Sequence, residues 1–286
     1  MQKQTNKRKV FNLGQLGFVG CHDFGYYHYN KVEPTLETHH HKAVLEICFC
    51  LKGQQYYQVG EDVFKLTGNH IFIVPPDVDH SSGVYPEDIG EVFWLQISLE
   101  KGKLCNLSGD QSEFLLGELI QRGNALFKGA FILKPILEKL IRMLEEPENP
   151  LVKLWGNQLI VQLLLETLVL AKEPQQMINS ERLDILNDFI GKHLHRIVYV
   201  DELATLVNIS TSHFKSWFKQ HFGVPPKAYI NRLKIEQAKK DLLVKKSITQ
   251  VAFDLGFNSS QYFATIFKKY TGVSPRSYVT AINRQN

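Results

Sequence analysis

Cysteine is scarce in this chain, with four in 286 residues, and Cys21, Cys48, Cys50 and Cys105 form no CxxC pair. That density excludes a disulfide scaffold and fits reduced thiols in a cytoplasm. No apolar run approaches the roughly 20 residues that span a bilayer, so no membrane partner is expected. The opening MQKQTNKRKVFNLG is basic but lacks an apolar h-region, which argues against a secretory signal. Acidic residues thin out late in the chain. From Glu181 onward 16 Lys and Arg face 8 Asp and Glu, whereas the first 180 residues hold 17 against 21. A basic third on a mildly acidic body suggests one module that meets a polyanion and another that does not. What remains is ordinary core-forming material, 44% hydrophobic and 22% charged, at a length that suits two domains.

From about Gly17 to Leu99 the sequence reads as short strands: LEICFCL, QQYYQVG, DVFKL, NHIFIVP and EVFWLQISL, parted by Gly, Pro and Asp turns. Such a density of strands predicts a sandwich or small barrel. From about Gln111 to Lys172 the apolar spacing changes to three and four, in FILKPILEKLIRMLEE and PLVKLWGNQLIVQLLLETLVLAKE, with EPENP as the loop between two helices. The second of these helices is apolar on more than one face, so it packs against the barrel or against a copy of itself. EPQQMINS, Glu173 to Ser180, reads as a polar linker, and helix follows to the end.

That helical third repeats itself. VNISTSHFKSWFKQHFGVPP (Val207–Pro226) and GFNSSQYFATIFKKYTGVSP (Gly256–Pro275) align at an offset of 49, with Ser210/Ser259, Phe214/Phe263, Phe218/Phe267, Lys219/Lys268 and Gly223/Gly272 identical. Each copy is a helix, a tight turn, a Ser-capped second helix and a Gly stop, which is a helix-turn-helix. Ser247 and Gln250 predict a capping box before the second turn. On the second helices Phe214, Trp217, Phe218 and His221, and likewise Phe263, Ile266, Phe267 and Tyr270, form a stripe that buries. The opposite stripe presents Ser212, Lys215, Ser216 and Lys219 in the first copy and Gln261, Ala264, Thr265 and Lys268 in the second. Small polar and amide side chains suit base edges in a major groove, and lysines suit phosphates. PPKAYINRLKIEQAKKDLLVKK predicts one basic helix between the copies, holding two recognition helices about one DNA turn, roughly 34 Å, apart. A plain helical bundle with solvated lysine faces is the other reading of the same pattern.

The segment ITQVAFDLGFNSSQYFATIFKKYTGVSPRSY resembles the signature of AraC/XylS transcription regulators, and the likeness covers the last ~105 residues. By resemblance the first recognition helix presents Ser212, Lys215, Ser216 and Lys219. The second presents Ser260, Gln261 and Thr265, with Lys268 and Lys269 following. Thr265 and Val279 stand where many members carry Arg, so base preference does not transfer.

In the N-terminal half, HHHKAVLEICFCLKG followed by GNHIFIVPPDVDH sets out His39, His41, Glu46, Gly53, Gly68, Pro75 and His80. This resembles the cupin motifs, in which a small barrel holds a metal on three His and one Glu. Asp77 and Val84 depart from the second motif. Alternation places His39 and His41 on one face, and a His₃Glu set suits a first-row divalent ion. The same outline without metal can line an effector pocket or fix loops, and by resemblance the expectation is effector contact with no cofactor required. In EVFWLQISL, Val92, Trp94, Gln96 and Ser98 share one face, and a Trp beside a Gln suits a sugar ring and its hydroxyls. The other reading is that Trp94 is core and Gln96 a rim residue. Tyr26, Tyr27 and Tyr29 are further wall candidates. The arm Met1–Val10 is expected to be mobile, and by resemblance such arms can fold over the pocket.

The expected architecture is α+β and multidomain. Residues 1–105 form a cupin-like effector-binding β-barrel, 106–175 a helical dimerisation and linker segment, and 176–286 an all-α double helix-turn-helix domain. The expected function is a non-enzymatic, cytoplasmic, homodimeric transcription regulator that binds double-stranded DNA, senses a small carbohydrate-like effector through His39, His41, Glu46, His80, Trp94 and Gln96, and can engage RNA polymerase. Two alternatives stay open: a metal-binding cupin enzyme or metal sensor carrying a DNA-binding domain, and a regulator whose barrel binds only a protein.

Overall fold

Strict alternation along VLEICFC sends Leu45, Ile47 and Phe49 to one side of a strand and Glu46, Cys48 and Cys50 to the other, and all seven residues from Val44 to Cys50 are buried. A strand buried on both faces is the centre of a layered unit. The computed structural model describes residues 7–100, 102–129, 132–172, 180–244 and 247–283. The expected linker 173–179, the first six residues of the arm, and Lys245 and Lys246 of the joining helix lie outside the described residues. The chain divides into two compact units, one of Met1–Tyr29 with Pro34–Gln175 and the other of Gln176–Asn286 with the short segment Asn30–Glu33.

The N-terminal unit contains β1 (Lys7–Asn12), β2 (Cys21–Tyr29), β3 (Glu33–Thr35), β4 (Val44–Val59), β5 (Asp62–Thr67), β6 (His70–Val74), β7 (His80–Ser81), β8 (Pro86–Glu87), β9 (Gly90–Ser98), α1 (Gly109–Ile120), β10 (Leu126–Lys128), α2 (Leu133–Leu144) and α3 (Leu151–Lys172). Antiparallel pairing runs β1-β2-β9-β4-β6-β10, with β5 and β7 on the far half of β4. LEICFCL and QQYYQVG are therefore one 16-residue strand rather than two. Its first half pairs with β9 and β6, its second with β5 and β7, and the ladder shifts register between Cys50 and Lys52. The corner depends on Gly53, at φ +87, where an added Cβ would lie 2.0 Å from the Ile89 carbonyl oxygen. The order is open at β1 and β10 among the described strands, an arrangement compatible with a barrel-like curl.

The bend separates two cores. One face of the sheet, with Phe24, Ile47, Phe49, Phe93, Leu95 and Ile97, packs under α1–α3. The other face turns inward, with Tyr27, Cys48, Tyr57, Phe72, Val92 and Trp94. The helices share the first core through Leu119, Leu137, Leu140, Ile160, Leu163 and Leu164, each wholly buried and contributing roughly 1.5–3 kcal/mol. Segment 106–175 thus shares its core with the sheet, and it also holds the short strand β10, which pairs with β6. Ser108 caps α1 in a full capping box with Gln111, and Asn149 accepts from the Leu151 amide where α3 begins. Gly156 lets α3 approach the Phe18 ring, which an added Cβ would meet at 2.4 Å. Contrary to the sequence expectation, α3 is long and apolar enough to cross a membrane by length and composition, yet its inner face lies in this core. Lys7–Val10, expected to be mobile, form strand β1 against β2. None of the four cysteines is in a disulfide.

The C-terminal unit is helical among its described elements: α4 (Ser180–Lys192), α5 (Val200–Leu206), α6 (Thr211–Phe222), α7 (Pro226–Leu243), α8 (Ile248–Asp254), α9 (Ser260–Thr271) and α10 (Pro275–Asn283). Two aromatic cores, one around Phe214 and Phe218 and one around Phe263 and Phe267, are joined by α7. That helix gives Ile230 to the first and Ile235, Ala238 and Leu242 to the second. Its 18 residues extend about 27 Å at the usual rise.

Candidate functional site

The repeated helices α6 and α9 are built alike. The Ser210 hydroxyl accepts from the His213 amide, and Ser259 from the Tyr262 amide. Both helices end on a left-handed glycine, Gly223 at φ 69 and Gly272 at φ 79. Phe214, Trp217 and Phe218, and in the second copy Phe263 and Phe267, are buried, while His221, Ile266 and Tyr270 are only partly so. The capping box expected at Ser247 is half formed. Ser247 accepts from the Gln250 amide, but the Gln250 side chain donates to Asp254 instead.

The outward stripes hold the predicted residues. Ser212, Lys215, Ser216 and Lys219 are exposed on α6; Gln261, Thr265, Lys268 and Lys269 are exposed on α9, where Ser260 is half-buried. The Thr265 hydroxyl donates to the Gln261 carbonyl, so that proton is already committed within the helix. The sequence reading passed over His213, Gln220 and Tyr262, which are also exposed on these helices. Their helical positions relative to the buried phenylalanines were the available signal. Between the two cores, buried Lys234 donates to the carbonyls of Arg196 and Gly256, and burial lowers its pKa to about 8.

In the N-terminal unit the sheet register sets Glu46 opposite Gln96 and Cys48 opposite Trp94. Gln96 Nε2 donates to Glu46 Oε2 at 2.6 Å and lies 2.9 Å from His41 Nε2. His41 Nε2 is 3.3 Å from Glu46 Oε2, and His80 Nε2 is 4.0 Å from Glu46 Oε1. One ring nitrogen each of His39, His41 and His80 come within 4.8 Å of one another. His39 and His80 are held by reciprocal backbone hydrogen bonds between their two segments. Asp77 explains its own departure from the cupin pattern. It adopts the left-handed φ of 59 that favours glycine, and its carboxylate accepts from the Ala43 amide. Its amide donates to the His41 carbonyl, which fixes the loop under that ring.

The electrostatics follow from this packing. Burial pushes the Glu46 carboxyl up, but His41, the charge on His80, and hydrogen bonds from Gln96 and Cys48 outweigh it and hold the group at about 2. Hydrogen bonding to Glu46 raises His41, whereas burial lowers His80. The His80 Nε2 atom is buried without a hydrogen-bond partner. A cavity of about 410 Å³ is lined by Thr35, Leu36, Glu37, Gln58, Asp79 and, alone of the cluster, His80.

Trp94 is 8% exposed and packs on Gly25, with the Arg8 guanidinium 4.9 Å over its ring. Arg8 in turn bonds Glu87 at 2.7 Å. Tyr27 and Tyr29 stack on one another in the inner core, whereas Tyr26 lies against Phe93 on the other face. His22, which the sequence reading missed, places Nδ1 3.0 Å from Gln96 Oε1. No spacing signal marks it, because only the pairing of β2 with β9 brings it there.

Two known domain families match the chain. Residues 26–164 match the AraC-like ligand binding domain, and residues 203–281 match the helix-turn-helix domain. An HTH-type transcriptional regulator of Staphylococcus aureus (strain MSSA476) is 33% identical over 117 residues, 39% of this chain but 16% of that relative. The chain therefore corresponds to a small part of that relative's length. The DNA-binding domain of AdpA, solved in complex with a target DNA, covers 37% of this chain and 96% of its own at 25% identity and a TM-score of 0.35. ToxT from Vibrio cholerae covers 98% of this chain and 100% of its own at 12% identity and a TM-score of 0.35.

Proposed function

Because the chain belongs to the AraC/XylS family of transcription regulators, with an AraC-like ligand-binding domain ahead of a DNA-binding helix-turn-helix domain, we propose that it is an effector-responsive regulator that reads two adjacent major grooves. The observation that carries this is the pair of capped helices α6 and α9, each burying an aromatic stripe and exposing small polar and basic residues. Ser212, Lys215, Ser216, Gln261 and Thr265 approach base edges, while Lys219, Lys268 and Lys269 neutralise phosphates. The test is selection of a binding sequence from random duplexes, followed by gel shift and footprinting. Two protected patches about one helical turn apart are expected. Binding that stays equal on selected and random DNA would contradict the reading.

The N-terminal unit takes the effector, with the inward face of β4 and β9 as its site. A sugar or related metabolite reading gives Trp94 the stacking face and Gln96 the hydroxyls, and the incoming ring takes the place of Arg8 over the indole. The protein acts as a homodimer through the outward stripe of α3, where Leu154, Leu165 and Val169 are exposed. Effector and DNA are then linked through the arrangement of the dimer, each altering the other's affinity by the same factor. Contact with RNA polymerase belongs to the same reading. A second reading, a metal as the sensed species, is favoured by the histidine cluster.

A further inference from the structure

The C-terminal unit holds a cleft of about 310 Å³ where its two cores meet along α7. One wall is Ile197–Val200, the stretch that leads into α5. The other is Gly256–Asn258 in the second turn, with Tyr262 of α9. On α7 the lining residues Lys227, Asn231 and Lys234 fall at i, i+4 and i+7, so one helical face turns three polar side chains to the same space. Around them Val198, Ile230 and Phe257 are buried and apolar. Lys234 is only 4% exposed, and its ammonium donates to the carbonyls of Arg196 and Gly256. These take two of its three N–H groups and leave one for the cleft. Burial alone shifts this lysine, and no carboxylate offsets it. No Asp or Glu lines the cleft among the described residues. Lys227 adds a second positive charge, its ammonium 6.0 Å from the centre of the Tyr262 ring. A buried cation with a spare donor and no counter-ion, in an apolar-walled space, is a charge that an incoming anion balances.

The walls choose the anion. A phosphate, free or on DNA, would press most of its oxygens against Val198, Ile230 and Phe257, where no donor meets them. A carboxylate has two oxygens, which the spare N–H of Lys234 and the amide of Asn231 can take, and it carries an apolar body for the walls. The volume stands at the lower end of ligand sites and suits one ring or a fused pair. We propose that this cleft binds a small aromatic carboxylate, with the carboxylate on Lys234 and Asn231 and the ring against Ile230, Phe257 and Tyr262. Every lining residue belongs to the C-terminal unit, so the site is separate from the inward face of β4 and β9. The occupant touches both the entry to the first helix-turn-helix and the turn of the second, and so fixes the separation of α6 and α9. Its effect on DNA rests on the regulator reading, whereas its binding does not.

The experiment is isothermal titration of the full chain with benzoate and 2-naphthoate, beside the uncharged 2-naphthamide and inorganic phosphate. One carboxylate per chain is expected, with 2-naphthamide and phosphate weaker by at least about tenfold, the size of one lost charge-assisted hydrogen bond. Lys234→Met and Asn231→Ala are each expected to weaken 2-naphthoate by a similar factor. Lys240→Ala, exposed on α7 and outside the cleft, is expected to leave it unchanged. Asn231 is half-buried, so Asn231→Ala tests the site even if Lys234→Met fails to fold, with circular dichroism checking both. The proposal is overturned by no saturable binding of either carboxylate, by 2-naphthamide or phosphate binding as tightly as 2-naphthoate, or by unchanged affinity in Asn231→Ala. Gel shifts on a selected duplex, with and without 2-naphthoate, separate the two readings. Sequence-selective DNA binding without carboxylate binding discards the cleft and leaves the regulator standing, whereas carboxylate binding without sequence-selective DNA binding does the reverse.

Discussion

The Lys234 ammonium lies 2.9 Å from the backbone carbonyl oxygen of Arg196 and 3.4 Å from that of Gly256, joining the entry to the first helix-turn-helix to the turn of the second. Gly256 stands at φ +63, and a Cβ there would come within 2.7 Å of the Arg196 backbone. Burial lowers the Lys234 pKa to about 8. An unfolded lysine titrates near 10.4, so between those values the unfolded chain binds more protons, and this group's contribution to stability rises with pH. Lys234→Met removes that dependence. Thermal unfolding from about pH 7.5 to about 10 should show wild type gaining on the variant, by up to roughly 1.4 kcal/mol for each pH unit crossed between those values. A difference that stays flat with pH would mean that Lys234 is not held in this way.

The two lysines of α6 separate by role. Lys215 and Lys219 are both exposed, one turn apart. Lys215→Ala is expected to weaken binding to the selected site by about 1–3 kcal/mol and to leave random DNA nearly unchanged. Lys219→Ala is expected to weaken all duplexes alike and to lower the salt slope by about 1. Gel shifts across a salt series on both DNA classes check the pair.

Gly25 holds Trp94 in place by having no side chain. An added Cβ would sit 2.1 Å from Cζ2 of the indole. Gly25→Ala therefore displaces Trp94 from the inward face of β9 and is expected to cost on the order of 1–3 kcal/mol. With Trp155 and Trp217 replaced by Phe, the emission of Trp94 should shift to the red and its response to effector should fall. An unchanged spectrum would place the indole elsewhere.

The outward face of α3 is the remaining apolar surface of the N-terminal unit's longest helix, and Leu154 is 65% exposed. Leu154→Asp with Leu165→Asp is expected to turn a homodimer into a monomer in sedimentation, with a change in unfolding free energy within about 0.5 kcal/mol per site for the isolated chain, as usual at exposed positions. A dimer that persists in the double variant moves the interface away from α3.

Local chemistry made the C-terminal unit legible. Ser210, Ser259, Gly223 and Gly272 each act within one turn of the chain, and the aromatic stripes recur at helical spacing, so the caps, stops and buried faces can be read residue by residue. The capping box at Ser247 went wrong for the same reason, since Gln250 had a competing partner one turn ahead in Asp254. The N-terminal unit was legible as alternation but not as topology. Gly53 reads as a turn between the strands LEICFCL and QQYYQVG, and only the β9 partner across Gly53 and Gly90 carries β4 through the bend.

Sequence by itself determined that this chain carries two helix-turn-helix copies on a basic third, and that His39, His41, Glu46 and His80 stand at spacings able to meet, because repeats, caps and period-two alternation are properties of neighbours in the chain. Only the tertiary structure decided that the three histidines converge, that the Nε2 atom of His80 is buried without a hydrogen-bond partner, that Gln96 bridges His41, Glu46 and His22, and that Arg8 rather than solvent covers Trp94. Apart from the neighbours His39 and His41, those contacts join residues 39 to 86 positions apart, and their existence depends on strand register and on which face each strand buries, neither of which is encoded in any single segment.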